Sequence, residues 1–149
     1  MTEFTEIVRI DASPAEVWAA LADIGSISSW NPGVTDSHQT SSGDVATGSS
    51  RRCKLSARQY LDEEVVLFEP PSEITFRITE TNLPFESADI RFKLEAHGKA
   101  TQVEVSPLYS LNFGVVGKVL DTLMVKATYR KGMRDLLRGL KNHVEGSAP

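Results

Sequence analysis

The sequence contains a single cysteine among its 149 residues, and no apolar run approaches the roughly 20 residues of a membrane-spanning helix. One cysteine, Cys53, cannot form an internal disulfide, which is typical of a protein from a reducing compartment. Residues 1–9 carry charges where a signal peptide requires an apolar stretch. These absences argue against a disulfide-stabilised or membrane-spanning protein, and we expect a cytoplasmic one.

Motifs for metal, nucleotide and nucleic-acid chemistry are also missing. The three histidines lie far apart, and no His, Cys and Asp cluster has the spacing of a zinc site. The sequence has no P-loop, no GxGxxG after a strand and no G-x-S-x-G. With 16 basic and 20 acidic side chains, the net charge of −4 is unfavourable for wrapping nucleic acid. We therefore expect no metal, no cofactor and no nucleic-acid partner.

The chain has the length of one domain and shows neither an internal repeat nor a low-complexity linker. We expect a single domain over residues 1–145 and a frayed tail over residues 146–149. Alternating apolar residues predict a first strand that ends near Asp11. Ser13, Pro14 and Glu16 then form a capping box with proline at the first helical position. This pattern predicts one short helix, and a second is expected from about residue 26 to 30.

Beyond residue 34 the apolar period changes to two, and turn residues divide the chain into six further strands. Their approximate ranges are 34–41, 48–56, 60–68, 73–81, 86–96 and 101–110. Apolar residues share one face of these strands and charged residues the other, which is typical of an antiparallel sheet with one side in water. The residues predicted to face inward include Phe76, Ile90, Phe92, Val103 and Val105.

A helical pattern without proline runs from about Val115 to Glu145. Its first half carries an apolar stripe of Val116, Leu120, Leu123 and Ala127. Its second half carries another stripe, on a different side, of Met133, Leu136, Leu137, Leu140 and Val144. The whole pattern predicts an α+β fold, in which a seven-stranded antiparallel sheet curls around this long helix and two short helices follow the first strand. A sheet and helix arranged in this way can enclose an apolar cavity.

Two segments and the terminal helix resemble the START-like superfamily, also called SRPBCC, which has the helix-grip fold of the birch pollen allergen. The segments are SPAEVWAALADIGSISSWNPGV and RRCKLSARQYLDEEVVLFEPPSEITFRI. The closest resemblance is to the polyketide cyclase/dehydrase branch. The superfamily includes lipid carriers, hormone receptors and cyclases, so the resemblance implies a fold without settling a function.

Two ionisable residues share a strand face with apolar ones. Glu63 alternates in phase with Leu61, Val65 and Leu67, and Arg51 with Cys53 and Leu55, so both are predicted to point inward. A carboxylate on an apolar wall is costly unless it is paired. Glu63 therefore either contacts a ligand, as an orienting group or an acid/base, or forms an internal pair with Arg51. For Arg51 we expect a position at the rim, where its head group reaches water.

Aromatic residues at strand and helix ends complete the predicted site. Trp30 and Tyr109 combine a large apolar body with one polar atom, which suits them to a ligand pocket. Cys53 is expected to be a small buried residue rather than a reactive thiol. The predicted lining residues are Trp30, Arg51, Cys53, Glu63, Val65, Phe76, Phe85, Ile90, Phe92, Val105, Tyr109, Leu120, Leu123 and Ala127.

The long helix is also strongly basic, with two acidic residues against seven basic ones: Lys118, Lys126, Arg130, Lys131, Arg134, Arg138 and Lys141. Such a helix either balances an acidic protein body or provides a docking face for a weakly bound anionic partner, such as an acidic carrier protein or a membrane surface.

Three functions fit this sequence. The first is binding of a small hydrophobic molecule, such as a lipid or polyketide. The second is a polyketide cyclase or aromatase-type dehydratase, in which Glu63 takes a proton and Arg51 or Tyr109 stabilises an oxyanion. The third is a partner module that works through its surface. Several convergent polar groups inside would favour the enzyme, Glu63 alone would favour binding, and a filled core would favour the partner module.

Overall fold

The computed structural model describes residues 1–112 and 119–146, without the side chains of residues 119–122. Its strands are β1 (Thr2–Glu3), β2 (Glu6–Ile10), β3 (Asp36–Gln39), β4 (Ser50–Lys54), β5 (Tyr60–Glu69), β6 (Glu73–Thr81), β7 (Phe85–His97) and β8 (Ala100–Leu111). Its helices are α1 (Pro14–Ala22), a 3-10 helix (Ile24–Ser29) and α2 (Val119–Gly146). The predicted start of the long helix near Val115 lies outside the described residues, and Gly146 belongs to α2 rather than to a tail.

Every strand pairing described is antiparallel, in the order β1-β8-β7-β6-β5-β4-β3, with β2 also paired to β8. The predicted α+β helix-grip fold is confirmed, with eight strands in place of seven. The additional strand arises because the first predicted strand is interrupted at Phe4 and Thr5. Phe4 lies opposite Pro107, which accepts its N–H but has no N–H to return. The ladder is therefore incomplete there, although β1 and β2 keep the same register on β8.

The capping box places the start of α1 where the sequence predicts it. The Glu16 backbone N–H donates to the Ser13 hydroxyl over 3.3 Å, and the Ser13 N–H donates to the Glu16 carboxylate over 3.4 Å. This helix packs against the core through the buried residues Val17, Trp18 and Leu21. The second short helix is a 3-10 helix that begins two residues earlier than predicted, at Ile24.

The alternation of the strands separates the two faces of the sheet as predicted, except at the end of β5. There a register shift after Val65 pairs Phe68 with the buried Ile74, so Phe68 rather than Leu67 lies on the inward face. The five residues expected to face inward are all buried: Phe76, Ile90, Phe92, Val103 and Val105. On the convex face, Arg77 and Asp89 are cross-strand neighbours that form an ion pair of 2.9 Å. The concave face is therefore the apolar one, and α2 packs against it.

In α2 the second predicted stripe is confirmed and the described part of the first is wrong, while Val116 and the side chain of Leu120 lie outside the described residues. The five apolar residues of its second half are all buried, but Leu123 is 59% exposed and Ala127 is also exposed. The buried stripe continues toward the N-terminus at a spacing of four, through Tyr129 to Val125, which pack against the core. A continuous α-helix presents one face to one sheet, so a second stripe on another side stays in water.

Ion pairs and hydrogen bonds attach α2 to the rest of the protein. Glu6 of β2 accepts hydrogen bonds from Arg130 and, over 2.9 Å, from Arg134. Near the other end of α2, Glu145 accepts from the backbone N–H of Asp11 over 2.8 Å and from Lys141 over 2.7 Å. This arrangement fits a basic helix that balances an acidic body.

Lys131 and Arg138 of α2 both pair with Asp135. Together with the pairs to Glu6 and Glu145, these contacts give five of the basic side chains of α2 carboxylate partners within the protein itself. A docking face would require charges that remain available to a partner. The anionic partner considered from the sequence is therefore not supported.

Two glycines of α2 test how closely the helix packs. At Gly139 a methyl group would overlap the carbonyl oxygen of Trp30, whereas a methyl group at Gly132 would meet nothing within 4 Å. We expect Gly132→Ala to raise the free energy of unfolding by about 0.5–1 kcal/mol, because alanine favours a helix. We expect Gly139→Ala to lower it by roughly 1–3 kcal/mol, because α2 must move outward. Denaturant unfolding of both variants measures the contrast, and equal effects would contradict the close contact.

Candidate functional site

A buried ion pair lies on the concave face of the sheet. Arg51 of β4 and Glu63 of β5 are direct cross-strand neighbours, and the distance from Arg51 Nε to Glu63 Oε1 is 2.8 Å. Both side chains are 4% exposed. The inward orientation predicted from strand alternation is therefore confirmed. The expected position of Arg51 at the rim is wrong, because Glu63 and the carbonyl oxygen of Ile24, 3.1 Å from Arg51 Nη1, take the place of water.

The guanidinium of Arg51 is held from a third side by an aromatic ring. It lies 3.9 Å from the centre of the Phe76 ring, within the range of a cation–π contact. Strand β4, strand β6 and the 3-10 helix thus meet at this one side chain. The pair is held in a single orientation at the middle of the apolar wall.

Cys53 follows Arg51 on the same face of β4 and is 1% exposed. Burial raises the pKa of its thiol to about 12; Arg51 acts in the opposite direction, and Glu63 adds to the increase. The thiol therefore stays protonated at neutral pH and is a poor nucleophile. Cys53 acts here as a small apolar wall residue, as expected.

Four rings form an aromatic cluster, which consists of Phe4, Phe85, Tyr109 and Tyr129. The ring centres of Tyr109 and Tyr129 are 5.1 Å apart, and Phe85 lies 5.7 Å from the first and 5.5 Å from the second. Phe4 lies 5.5 Å from Tyr129. The cluster joins β7 and β8 to α2, because Phe85 lies on β7, Tyr109 on β8 and Tyr129 on α2.

Both tyrosine hydroxyls of this cluster are buried, and neither has a hydrogen-bond partner among the described residues. The same is true of the indole N–H of Trp30. An unpaired buried polar group costs about 1–3 kcal/mol. Burial raises the pKa of both hydroxyls, and for Tyr129 the Glu63 carboxylate and Tyr109 contribute further. Tyr129 is therefore close enough to both groups to interact with them electrostatically.

Tyr129 is the site residue that sequence reasoning missed. It lies four residues before Met133, so the buried stripe of the second half of α2 could have been extended back to it. The predicted stripe through Leu123 and Ala127 lies on a different side of the helix and does not include Tyr129. Both residues are exposed and lie apart from the other predicted site residues, and the side chain of Leu120 is outside the description.

The remaining predicted residues form the apolar wall around the ion pair. Val65 is the cross-strand neighbour of Phe76, which in turn neighbours Ile90 on β7. Phe92 of β7 pairs with Val105 of β8 in the same way. All five are buried. The structure thus brings most of the predicted lining onto one continuous surface.

Trp30 takes a different position. It lines a groove of about 570 Å³, together with Pro32 and with Asp135 and Gly139 of α2. A second groove, of about 420 Å³, runs between β2 and α2 and is lined by Ile7 and Leu137. Neither Arg51, Glu63 nor the tyrosines line these two grooves.

The described residues contain neither a group of side chains suited to a metal ion nor a helix suited to a membrane. Within residues 1–112 and 119–146, no three His, Cys, Asp or Glu side chains are grouped so that they could hold a metal ion. The helices in the same part of the chain are all too short or too polar to cross a membrane.

The comparison with known families and structures agrees with this geometry. A family described as polyketide cyclase/dehydrase and lipid transport matches residues 1–145. A START superfamily protein from Mycobacterium smegmatis has a similar structure, with a TM-score of 0.82, 17% identity, and coverage of 98% of this chain and 99% of that one. No curated protein sequence matches this chain.

Two further structures have the same fold. The Zhui aromatase/cyclase from Streptomyces sp. R1128 superposes with a TM-score of 0.82 at 16% identity, over 97% of this chain and 93% of that one. The major latex-like protein 151 of Panax ginseng superposes with a TM-score of 0.75 at 16% identity, over 95% and 96% of the two chains. At these identities the likeness concerns the fold. The chain belongs to the polyketide cyclase/dehydrase and lipid transport family.

Proposed function

We propose that this protein binds a small hydrophobic molecule, such as a lipid or a polyketide, between the concave face of the sheet and α2. The Arg51–Glu63 pair orients the polar group of that molecule. The observation that carries the proposal is this ion pair itself, at 4% exposure on an apolar wall. The family match, whose description includes lipid transport, supports the same reading.

The energetics of the pair support a role beyond folding. Two charges removed from water lose hydration energy that their mutual attraction only partly restores. Apolar side chains of similar volume at both positions are often equally stabilising. The fold therefore gains little from Arg51 and Glu63, whereas a ligand with a polar group gains a defined orientation from them.

A cyclase or aromatase-type dehydratase is the second candidate. Four polar side chains on or near the concave face favour it, namely Arg51, Glu63, Tyr109 and Tyr129, since several polar groups inside are what such chemistry needs. The engagement of Glu63 by Arg51 favours binding, because a general base has to reach the proton that it removes. Conversion of a linear poly-β-ketone by the wild type, abolished in an Arg51→Met/Glu63→Leu variant that stays folded, would establish the enzyme instead.

The binding function predicts that a ligand accompanies the protein. Native mass spectrometry of protein purified from its own host is expected to show an additional mass of a small molecule. An independent measurement uses the fluorescence of 8-anilinonaphthalene-1-sulfonate, which increases when the dye enters an apolar site. If no mass is added and no dye is bound, the binding function is wrong.

A second prediction separates the role of the ion pair in binding from its role in stability. Glu63→Gln or Arg51→Met alone should lower the free energy of unfolding by roughly 3–5 kcal/mol, because each leaves the partner unpaired and buried. The double variant Arg51→Met/Glu63→Leu should recover most of that stability, since neither charge remains. It should nevertheless bind the co-purified molecule more weakly by roughly 1–3 kcal/mol, the scale of a hydrogen bond to a charged group.

The matched control is the cross-strand pair on the convex face. Arg77→Met/Asp89→Leu removes an ion pair of similar length, 2.9 Å, that is exposed to water. Its effect on stability should be within about 1 kcal/mol, and ligand affinity should not change. A stable concave double variant with wild-type affinity would show that the Arg51–Glu63 pair takes no part in binding.

A further inference from the structure

The two tyrosine hydroxyls of the aromatic cluster differ from the other polar groups on the concave side. Arg51 and Glu63 satisfy each other, and the Thr101 hydroxyl donates to the carbonyl oxygen of Ala12 over 2.8 Å. The hydroxyls of Tyr109 and Tyr129 are buried without a partner among the described residues. The centres of their rings are 5.1 Å apart.

Both hydroxyls act as donors near neutral pH. Burial raises the pKa of each, and the nearby Glu63 carboxylate raises that of Tyr129 further. A phenol that keeps its proton offers one O–H to an acceptor. Glu63 is already engaged with Arg51, so within residues 1–112 and 119–146 these two donors have no acceptor, and a bound molecule can supply one.

The charges around the cluster indicate what kind of acceptor it is. Arg51 carries the positive charge of the concave face, and Glu63 neutralises it at 2.8 Å. On α2, Arg130 is bound to Glu6, with its guanidinium carbon 5.1 Å from the centre of the Phe4 ring. An anionic ligand group at the tyrosines would be repelled by the Glu63 carboxylate, whose charge already raises the pKa of Tyr129, and the cations Arg51 and Arg130 are both paired with carboxylates. Such a group is therefore unfavourable in a buried site. A neutral carbonyl oxygen accepts hydrogen bonds without that penalty.

We propose that Tyr109 and Tyr129 form a donor pair that selects apolar ligands carrying a neutral carbonyl oxygen. The inference rests on the proposed binding function and adds the chemical class of the ligand. The aromatic cluster surrounds the apolar part next to that oxygen, and ring edges and faces favour a planar partner. Tyr129 is thus a specificity-determining residue of α2.

The test compares two probes of the same shape, fluorene and 9-fluorenone, which differ by one carbonyl oxygen. Both are measured by displacement of bound 1-aminoanthracene, an uncharged fluorescent dye without a carbonyl group. The wild type is expected to bind fluorenone roughly three- to tenfold more tightly than fluorene, the effect of one net hydrogen bond. In a site without donors, fluorene would bind at least as tightly, because the carbonyl would lose its hydration. Fluorene-9-carboxylate, the anionic probe, should bind more weakly than fluorenone.

Tyr109→Phe and Tyr129→Phe are each expected to reduce the preference for fluorenone, because each removes one O–H donor, and the double variant is expected to abolish it. Their melting temperatures should equal or exceed that of the wild type, since a hydroxyl without a partner does not stabilise the fold. The control is Tyr60→Phe, at the start of β5, where the ring contacts Arg52 outside the aromatic cluster. It should keep the wild-type preference.

The outcomes distinguish the two proposals. If the wild type binds neither fluorene nor fluorenone, the binding function fails, and the donor pair fails with it. If it binds both probes equally and the variants do the same, the donor pair is wrong and the binding function stands. A melting temperature lowered in either Tyr→Phe variant would show that the hydroxyls serve the fold, which would also overturn the donor pair.

Discussion

The side chains of a β-strand point alternately to its two faces, and the site depends on this constraint more than on any single contact. Because paired strands lie residue against residue, apart from two register shifts between β5 and β6 and one between β7 and β8, inward residues of neighbouring strands meet side by side. Arg51 therefore meets Glu63, and Val65 meets Phe76. A shift of one residue would place every one of them in water. The apolar wall and its ion pair thus have one common origin in the pairing of the sheet.

Two kinds of polar group occupy the buried side. The charges of Arg51 and Glu63 are paired with each other, so the folded protein holds them without a ligand. The hydroxyls of Tyr109 and Tyr129 have no such partner in the described part of the chain. The physical distinction matters for function, because a satisfied pair can orient a ligand, whereas an unsatisfied donor gains a hydrogen bond from it. Under the proposed function, the ion pair orients the ligand and the tyrosine hydroxyls select it.

The placement of α2 determines which residues complete the site. Arg130 binds Glu6 and donates to the backbone carbonyl of Thr5, at the break between β1 and β2. Its neighbour Tyr129 is thereby directed against Tyr109. Farther along, Gly139 allows the helix to approach the backbone of Trp30. Contacts at both ends thus set the rotation and the depth of the helix, and with them the position of Tyr129.

Four features could be predicted from the sequence, because they follow from local periodicity and capping: the order of the elements, the antiparallel sheet, the capped start of α1 and the inward face that carries Arg51 and Glu63. The buried side of α2 could not be predicted in this way, since Leu123 and Ala127 form as good an apolar stripe as Tyr129 and Met133. It depends on tertiary packing, which also decided that Arg51 is buried and paired rather than at the rim. Periodicity describes one element at a time, whereas burial depends on which element packs against it, and that contact joins residues far apart in the chain.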